Sequence, residues 1–299
     1  MLSIIICSIS PERLRKIKTN LINTVGNTEL EIIVIDNREK KWSIAKAYNF
    51  GARQAKYPYL FFVHEDVLFF SNGWGLIIEQ KLAEPSCGVI GFAGSNVKLK
   101  TYSSCWQKRE WEHSFTCRRL GGIWIGYDIK YNLEHPFKET LILDGLGMFV
   151  RKEVWEQDPF DEVLLTGFHC YDVDFSMQIA RKYKNYVCCS PQILVQHFSD
   201  GNYNAQWFSD IIRMHQNKWN EFLPMMISGV CLGKRELRKH EEHAFYCFVQ
   251  GALRSKDFNG KKQLMREFWN YRFSYMHFIH CLVCSLKYIR VCRYKKISL

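Results

Sequence analysis

Residues 31–66 read EIIVIDNREKKWSIAKAYNFGARQAKYPYLFFVHED. The stretch opens on a β-branched apolar run, EIIVIDN (31–37), and closes on a second one, YLFFV (59–63). Between them SIAKAYNFGARQAK (43–56) has helical spacing, with Ser43 as a candidate N-cap. Both apolar runs are continuous rather than alternating. A strand reads that way when it is covered on both faces, as in a parallel sheet. Upstream, LSIIIC (2–7) is a third such run, followed by SPERLRKIKTNLINTV (10–25), where Ser10 suits a cap and Pro11 the first helical turn. Three strands therefore alternate with two helices. The expected class is α/β, with a Rossmann-like, mostly parallel central sheet flanked by helices.

Open sheets of this kind collect ligands beyond the carboxyl ends of their strands. Asp36 ends one strand and the triplet His64-Glu65-Asp66 ends another. The triplet sits inside LFFVHEDVLFF (60–70), where the neighbours are apolar and a buried charge is costly unless paired or holding a metal. A plain strand end facing water is the alternative. In an extended segment His64 and Asp66 share one face and Glu65 takes the other.

Downstream, CGVIGFAGS (87–95) is a fourth strand. Residues 95–139 are irregular and aromatic-rich; Trp106, Trp111 and Trp124 suit core packing or stacking on a sugar ring. TLILDGLGMFVRKEVW (140–155) gives a strand, a glycine turn near Asp144, and a strand entering a helix. DVDFSMQIARKYKN (172–185) is a helix with Asp172 or Asp174 placed to cap it. YVCCSPQILVQHFSDG (186–201) gives a short strand and an extended segment ending at His197, and residues 203–222 are helical.

The 299 residues are 47% hydrophobic and 24% charged, the balance of a globular chain. The twelve cysteines are scattered, which favours reduced thiols over a disulfide framework. Cys281 and Cys284 form a CxxC without a second pair, a weak zinc signal. The net charge of +11 is lopsided: residues 232–299 hold 15 Lys/Arg against 5 Asp/Glu. That asymmetry divides the chain into residues 1–225 and a basic, aromatic-rich helical region, residues 226–299. Because the basic excess is confined to the tail, nucleic acid is not an expected partner. No signal peptide and no apolar run of membrane-spanning length is visible, so a cytoplasmic location is expected. In the tail, Phe268, Trp269, Tyr271, Phe273, Tyr275, Phe278 and Tyr288 interleave with Arg266, Arg272, Lys287, Arg290 and Arg293. The mixture suits a helix lying on an anionic membrane, here the inner face, or a small packed helical subdomain.

Taken in order, SIIICSIS, EIIVIDN, AYNFGARQAKYPYLFFVHEDV, LDGLGMFVRKEVW with PFDE, and FHCYDVDFSMQIARKY resemble the family 2-like glycosyltransferases of the GT-A fold, nearest the streptomycin-biosynthesis type. The resemblance covers roughly residues 2–220. It implies transfer of a hexose from a nucleotide-sugar, UDP-linked, to a glycan or lipid-linked glycan, as in polysaccharide biosynthesis, with inversion and a divalent cation. It places Asp36 against the nucleotide base and His64 and Asp66 in the DxD-like motif. His197 becomes a further cation ligand and Asp172 the catalytic base, with Asp174 beside it as cap or orienting partner. Asp144 and Gly145 fall on the acceptor side. The sequence departs from the family at His64, which stands where the motif has aspartate. Imidazole with carboxylate suits Mn²⁺ better than Mg²⁺. The same departure motivates an alternative, a catalytically silent module that binds a glycan or scaffolds a partner. A nucleotidyltransferase would need a glycine-rich basic loop after the first strand, and CSISPERLRK (7–16) has no glycine.

Overall fold

The computed structural model of the chain describes residues 1–104, 108–120, 123–126, 135–199, 201, 203–271 and 274–297. Its first half-sheet follows the alternation above: β1 (Leu2–Ser8), α1 (Pro11–Thr24), β2 (Leu30–Asp36), α2 (Ile44–Gln54) and β3 (Tyr59–His64). Ser10 Oγ accepts from the Arg13 amide at 3.4 Å and Ser43 Oγ from the Lys46 amide at 3.2 Å. Each cap satisfies one of the amides that a helix start leaves open. Next come β4 (Val67–Phe69), α3 (Trp74–Leu82), β5 (Cys87–Gly91), β6 (Ala93–Ser95) and β7 (Val97–Lys98). Within 95–139 the chain forms β8 (Glu112–Ser114), β9 (Thr116–Leu120), β10 (Ile123–Gly126) and β11 (Phe137–Thr140). Then follow β12 (Ile142–Leu143), β13 (Gly147–Arg151), α4 (Lys152–Gln157), α5 (Tyr171–Ala180), β14 (Lys184–Cys188) and β15 (Val195–His197).

Seven strands make the central sheet in the order β11-β14-β5-β13-β3-β1-β2. β1 runs parallel to β2 and β3, and β14 parallel to β5. β13 enters between β3 and β5, antiparallel to both, and β11 is antiparallel to β14. Five of the seven strands thus share one direction, a mixed and mostly parallel sheet. The interior is aromatic: Phe61 stacks on Phe149 at 3.8 Å across β3 and β13, and Phe69 on Trp74 at 4.1 Å. α2 lies close on the sheet because it presents Ala45, Ala47, Gly51 and Ala52; a Cβ on Gly51 would stand 2.5 Å from Ile5 Cγ2. A second sheet, β10-β9-β15-β4, pairs β15 antiparallel to β4 with Val67 opposite His197.

The chain divides into two compact units. One holds Met1–Lys98, Cys105–Asp200 and Met226–Val230; the other holds Leu99–Ser104, Gly201–Met225 and Cys231–Leu299. Residues 201–225 therefore cluster with the tail, whereas the charge balance puts the dividing line at 225. The second unit contains α6 (Ala205–Met214), α7 (Lys234–Arg254), α8 (Lys261–Asn270) and α9 (Tyr275–Ile297). Phe245, Phe248, Val249 and Ala252 of α7, Leu264 and Phe268 of α8, and Cys281 and Cys284 of α9 are buried. Cys284 Sγ accepts from Gln250 at 3.2 Å and Cys281 Sγ lies 3.4 Å from His277 Nε2, so the CxxC is taken up in helix packing. No described helix is long and apolar enough to cross a membrane.

Candidate active site

The alternation at the end of β3 sends Glu65 away from its neighbours. Its Oε2 accepts from Ser8 Oγ at 2.6 Å and from the amides of Ile9 and Ser10 at 3.2 and 3.1 Å. Glu65 thus ties the end of β3 to the β1–α1 loop and is only 8% exposed. His64 and Asp66 face the other way, and the β4–β15 pairing carries His197 to them. One ligand atom each of His64, Asp66 and His197 lies within 4.8 Å of the others. Among the described residues this is the one group of three such side chains placed to hold a metal ion.

The three residues fit a cation on their own chemistry. Asp66 Oδ1 and His197 Nε2 are buried and face each other at 3.5 Å, an ion-pair distance, and neither makes a closer hydrogen bond to any other group. Buried polar atoms are seldom left so. Two imidazoles and one carboxylate form a mixed N,O donor set suited to Mn²⁺. Burial pushes His64 down to about 4, helped by His197 and opposed by Asp66 and Asp144, so its ring is neutral at pH 7. Burial works to raise the Asp66 carboxyl, but His197, His64 and Arg13 outweigh it and hold the group below its ordinary value.

Tyr171 favours one tautomer of His64. Its hydroxyl lies 3.0 Å from the Gly145 carbonyl oxygen and 2.6 Å from His64 Nε2. The carbonyl can only accept, so Tyr171 donates its single proton there. Nε2–H of His64 then donates to the Tyr171 oxygen, and the lone pair is left on Nδ1. Metal-binding histidines are held in this manner by a partner on the far ring nitrogen.

The same glycine joins the acid. The Gly145 amide donates to Asp172 Oδ2 at 2.8 Å. A Cβ at residue 145 would stand 2.2 Å from Tyr171 Oη and 3.0 Å from Asp172 Cβ, so only glycine lets α5 approach this turn. Asp144 Oδ1 accepts from the Leu146 amide at 3.1 Å and shapes the turn. Burial raises Asp172 to about 7, the Asp144 charge adds to it, and the amides of Val173 and Gly145 oppose it. A carboxyl near 7 can take a proton at neutral pH. Neither Asp172 nor Asp174 stands at the cap position of α5. The cap position is Cys170, in the left-handed region at φ 67°, and both acids lie in the first turn. Asp174 is buried, 1% exposed, while Asp172 stays half-buried.

Asp36 ends β2 opposite Ser8 and is separated from β3 by β1, so it stands about 10 Å from the His64 end. Its carboxylate is exposed and gripped by Arg38, whose Nε and Nη2 donate at 2.9 and 2.5 Å. Those bonds hold it down at about 2. Trp111 is buried, in keeping with packing, whereas Trp106 and the side chain of Trp124 lie outside the described residues. Sequence reasoning turned Glu65 away from His64 and Asp66 but missed its bonds to the β1–α1 loop, and it missed Tyr171, which stands in HCYDVD, where only the turn it meets in space reveals its use.

A family model described as "Glycosyltransferase like family" matches residues 3–218. The chain belongs to this glycosyltransferase-like family. No curated protein matches its sequence. A solved structure of GalNAc-T7 with UDP, GalNAc and Mn²⁺ is 11% identical with a TM-score of 0.50; the match spans 89% of this chain and 54% of that one. The structure of A197 from STIV is 18% identical, spanning 67% of this chain and 86% of its own, at a TM-score of 0.39. At 11% identity the GalNAc-T7 match speaks to the fold alone. In this glycosyltransferase-like chain, all of His64, Asp66, Gly145, Tyr171, Asp172 and His197 fall within the matched span.

Proposed function

We propose that the chain transfers a hexose from a UDP-linked donor to a glycan or lipid-linked glycan, with inversion and with the help of a divalent cation. The observation that carries this reading is the convergence of His64, Asp66 and His197 on the carboxyl side of the sheet, joined through Tyr171 and Gly145 to Asp172. His64, Asp66 and His197 would hold the cation. When bound, it neutralises the charge that develops on the leaving diphosphate. Asp172 takes the proton from the attacking acceptor hydroxyl, and the Gly145 amide fixes the orientation of the carboxyl that receives it. An attack from the side opposite the diphosphate inverts the sugar carbon. Asp36, held ionised by Arg38, would accept from the nucleoside. Phe168, 55% exposed with its ring 5.7 Å from His64, offers a face for a sugar ring. Asp144 and Gly145 border the acceptor side. That GalNAc-T7 was solved with UDP, GalNAc and Mn²⁺ supports the donor class and the metal.

The test is a panel of nucleotide-sugars, each measured for hydrolysis and for thermal stabilisation with Mn²⁺, with Mg²⁺ and with chelator. Hydrolysis of one donor that needs Mn²⁺ and is lost in Asp66→Ala supports the reading. Donor binding without turnover under every condition would favour a silent glycan-binding module.

A further inference from the structure

α9 shows two unlike faces. His277, Cys281 and Cys284 are buried at the helical spacing of one side. On the other side Tyr275, Met276, Leu282, Val283, Leu286 and Ile289 are 42–78% exposed. Their numbers fall in two adjacent rows, 275-282-286-289 and 276-283, so they form one continuous stripe. Trp269, 39% exposed, donates through Nε1 to Ser285 Oγ at 3.0 Å and lies beside that stripe. A patch of this kind marks an interaction surface. The 23 residues of α9 contain no acid, and exposed Arg290 continues the second row.

We propose that this face of α9 docks on an anionic lipid surface. Charge decides the occupant. A second copy would bring the same patch against itself, as a two-fold interface requires, and set one basic tail of 15 Lys/Arg and 5 Asp/Glu against another. A bilayer carrying anionic headgroups complements both features: the apolar row enters the acyl boundary and Arg290 meets the headgroups. Trp269 and Tyr275 are amphipathic rings suited to that depth. The helix lies on the surface, because no described helix is long and apolar enough to cross it.

Flotation of the full chain with phosphatidylcholine vesicles, with and without phosphatidylglycerol, tests this. Binding is expected to the anionic vesicles and to fall as salt rises. Leu282→Asn with Leu286→Asn weakens it roughly tenfold or more, and Arg290→Gln about fivefold. Both variants keep the wild-type circular dichroism and the Mn²⁺-dependent thermal shift, since the sites altered are exposed and belong to the second unit. Equal binding to neutral vesicles, no binding, or undiminished binding by the leucine variant would each overturn the proposal. So would a wild-type dimer that the leucine variant converts to a monomer, which would assign the face to a second copy.

Discussion

At Asp172 two demands conflict. The carboxyl is half-buried near Asp144, which raises it to about 7, yet a base must be able to lose its proton near neutral pH. Asp172→Asn keeps the shape and removes the proton acceptor, so kcat is expected to drop by about 10²–10⁴, with donor affinity unchanged by calorimetry. In the wild type, kcat/KM falls as pH drops below about 7. Stability moves oppositely. A carboxyl raised in the folded state favours folding at low pH, and that contribution is lost as pH climbs from the unfolded value of 3.8 to about 7. Asp172→Asn should therefore be the more stable protein at pH 8, by about 1–3 kcal/mol after allowing for solvent, with little difference near pH 4. Denaturant melts at the two pH values check this. An equal gain at both would show that proton linkage is not the cause.

Tyr171 acts one bond further out. If it fixes the Nε2–H form of His64, Tyr171→Phe should let the ring populate the other tautomer. Nitrogen-15 spectra of the metal-free imidazole report this directly, apart from any catalysis. Mn²⁺ affinity should weaken about 10–100-fold, the range for lost partners of metal-binding histidines. Wild-type tautomer and affinity in the variant would leave Tyr171 with a packing role only.

At the scale of elements, the β1–α1 loop and β3 are joined by Glu65, which accepts from Ser8, Ile9 and Ser10. Glu65→Gln can keep a carbonyl oxygen toward the three donors but replaces charge-assisted bonds with neutral ones, and should cost about 1–2 kcal/mol. Ser8→Ala removes one of the same bonds. The two losses should be less than additive in a double-mutant cycle, because they share one carboxylate. Full additivity would deny the link. The sequence was informative here through period: continuous apolar runs marked β1, β2, β3 and β5, and the Ser10 and Ser43 caps bound α1 and α2. The alternation at 64–66 also separated Glu65 from His64 and Asp66. Direction was not legible. Nothing in GMFVR (147–151) says that β13 runs antiparallel between β3 and β5. Nor did periodicity show that a β4–β15 pair would carry His197 to Asp66, because strand pairing is decided by residues distant in the chain. The cap expected at Asp172 or Asp174 failed for a local reason: Cys170, two residues before Asp172, takes the cap position at positive φ and puts both acids inside the first turn. Likewise α9 is apolar on both its packed and exposed sides, which blunts the amphipathic period that would have revealed the exposed stripe.

At the scale of the molecule, the chain has two compact units, each with its own buried residues, and the cation cluster belongs wholly to the first. A ligand that binds only folded protein stabilises it by mass action, by about 2.7 kcal/mol at 100 times its dissociation constant. Mn²⁺ should therefore raise the melting of the first unit, and chelation should reverse it. The transition of the helical unit should stay in place. Tryptophan fluorescence weighted by Trp74 and Trp155 of the first unit, against a reporter attached at exposed Cys247 of the second, separates the two. The shift should also depend on pH. His64 loses its lone pair as pH falls through about 4, and unfolded histidine does so near 6.5, so below that range the cation has fewer neutral donors in either state. Asp66→Ala should abolish the shift while leaving both metal-free transitions nearly unchanged, because the carboxylate lies just past a strand end, meets only His197 at 3.5 Å through Oδ1 and contributes little to packing. A Mn²⁺ shift that persists in Asp66→Ala, or that moves the second unit's transition equally, would place the cation elsewhere.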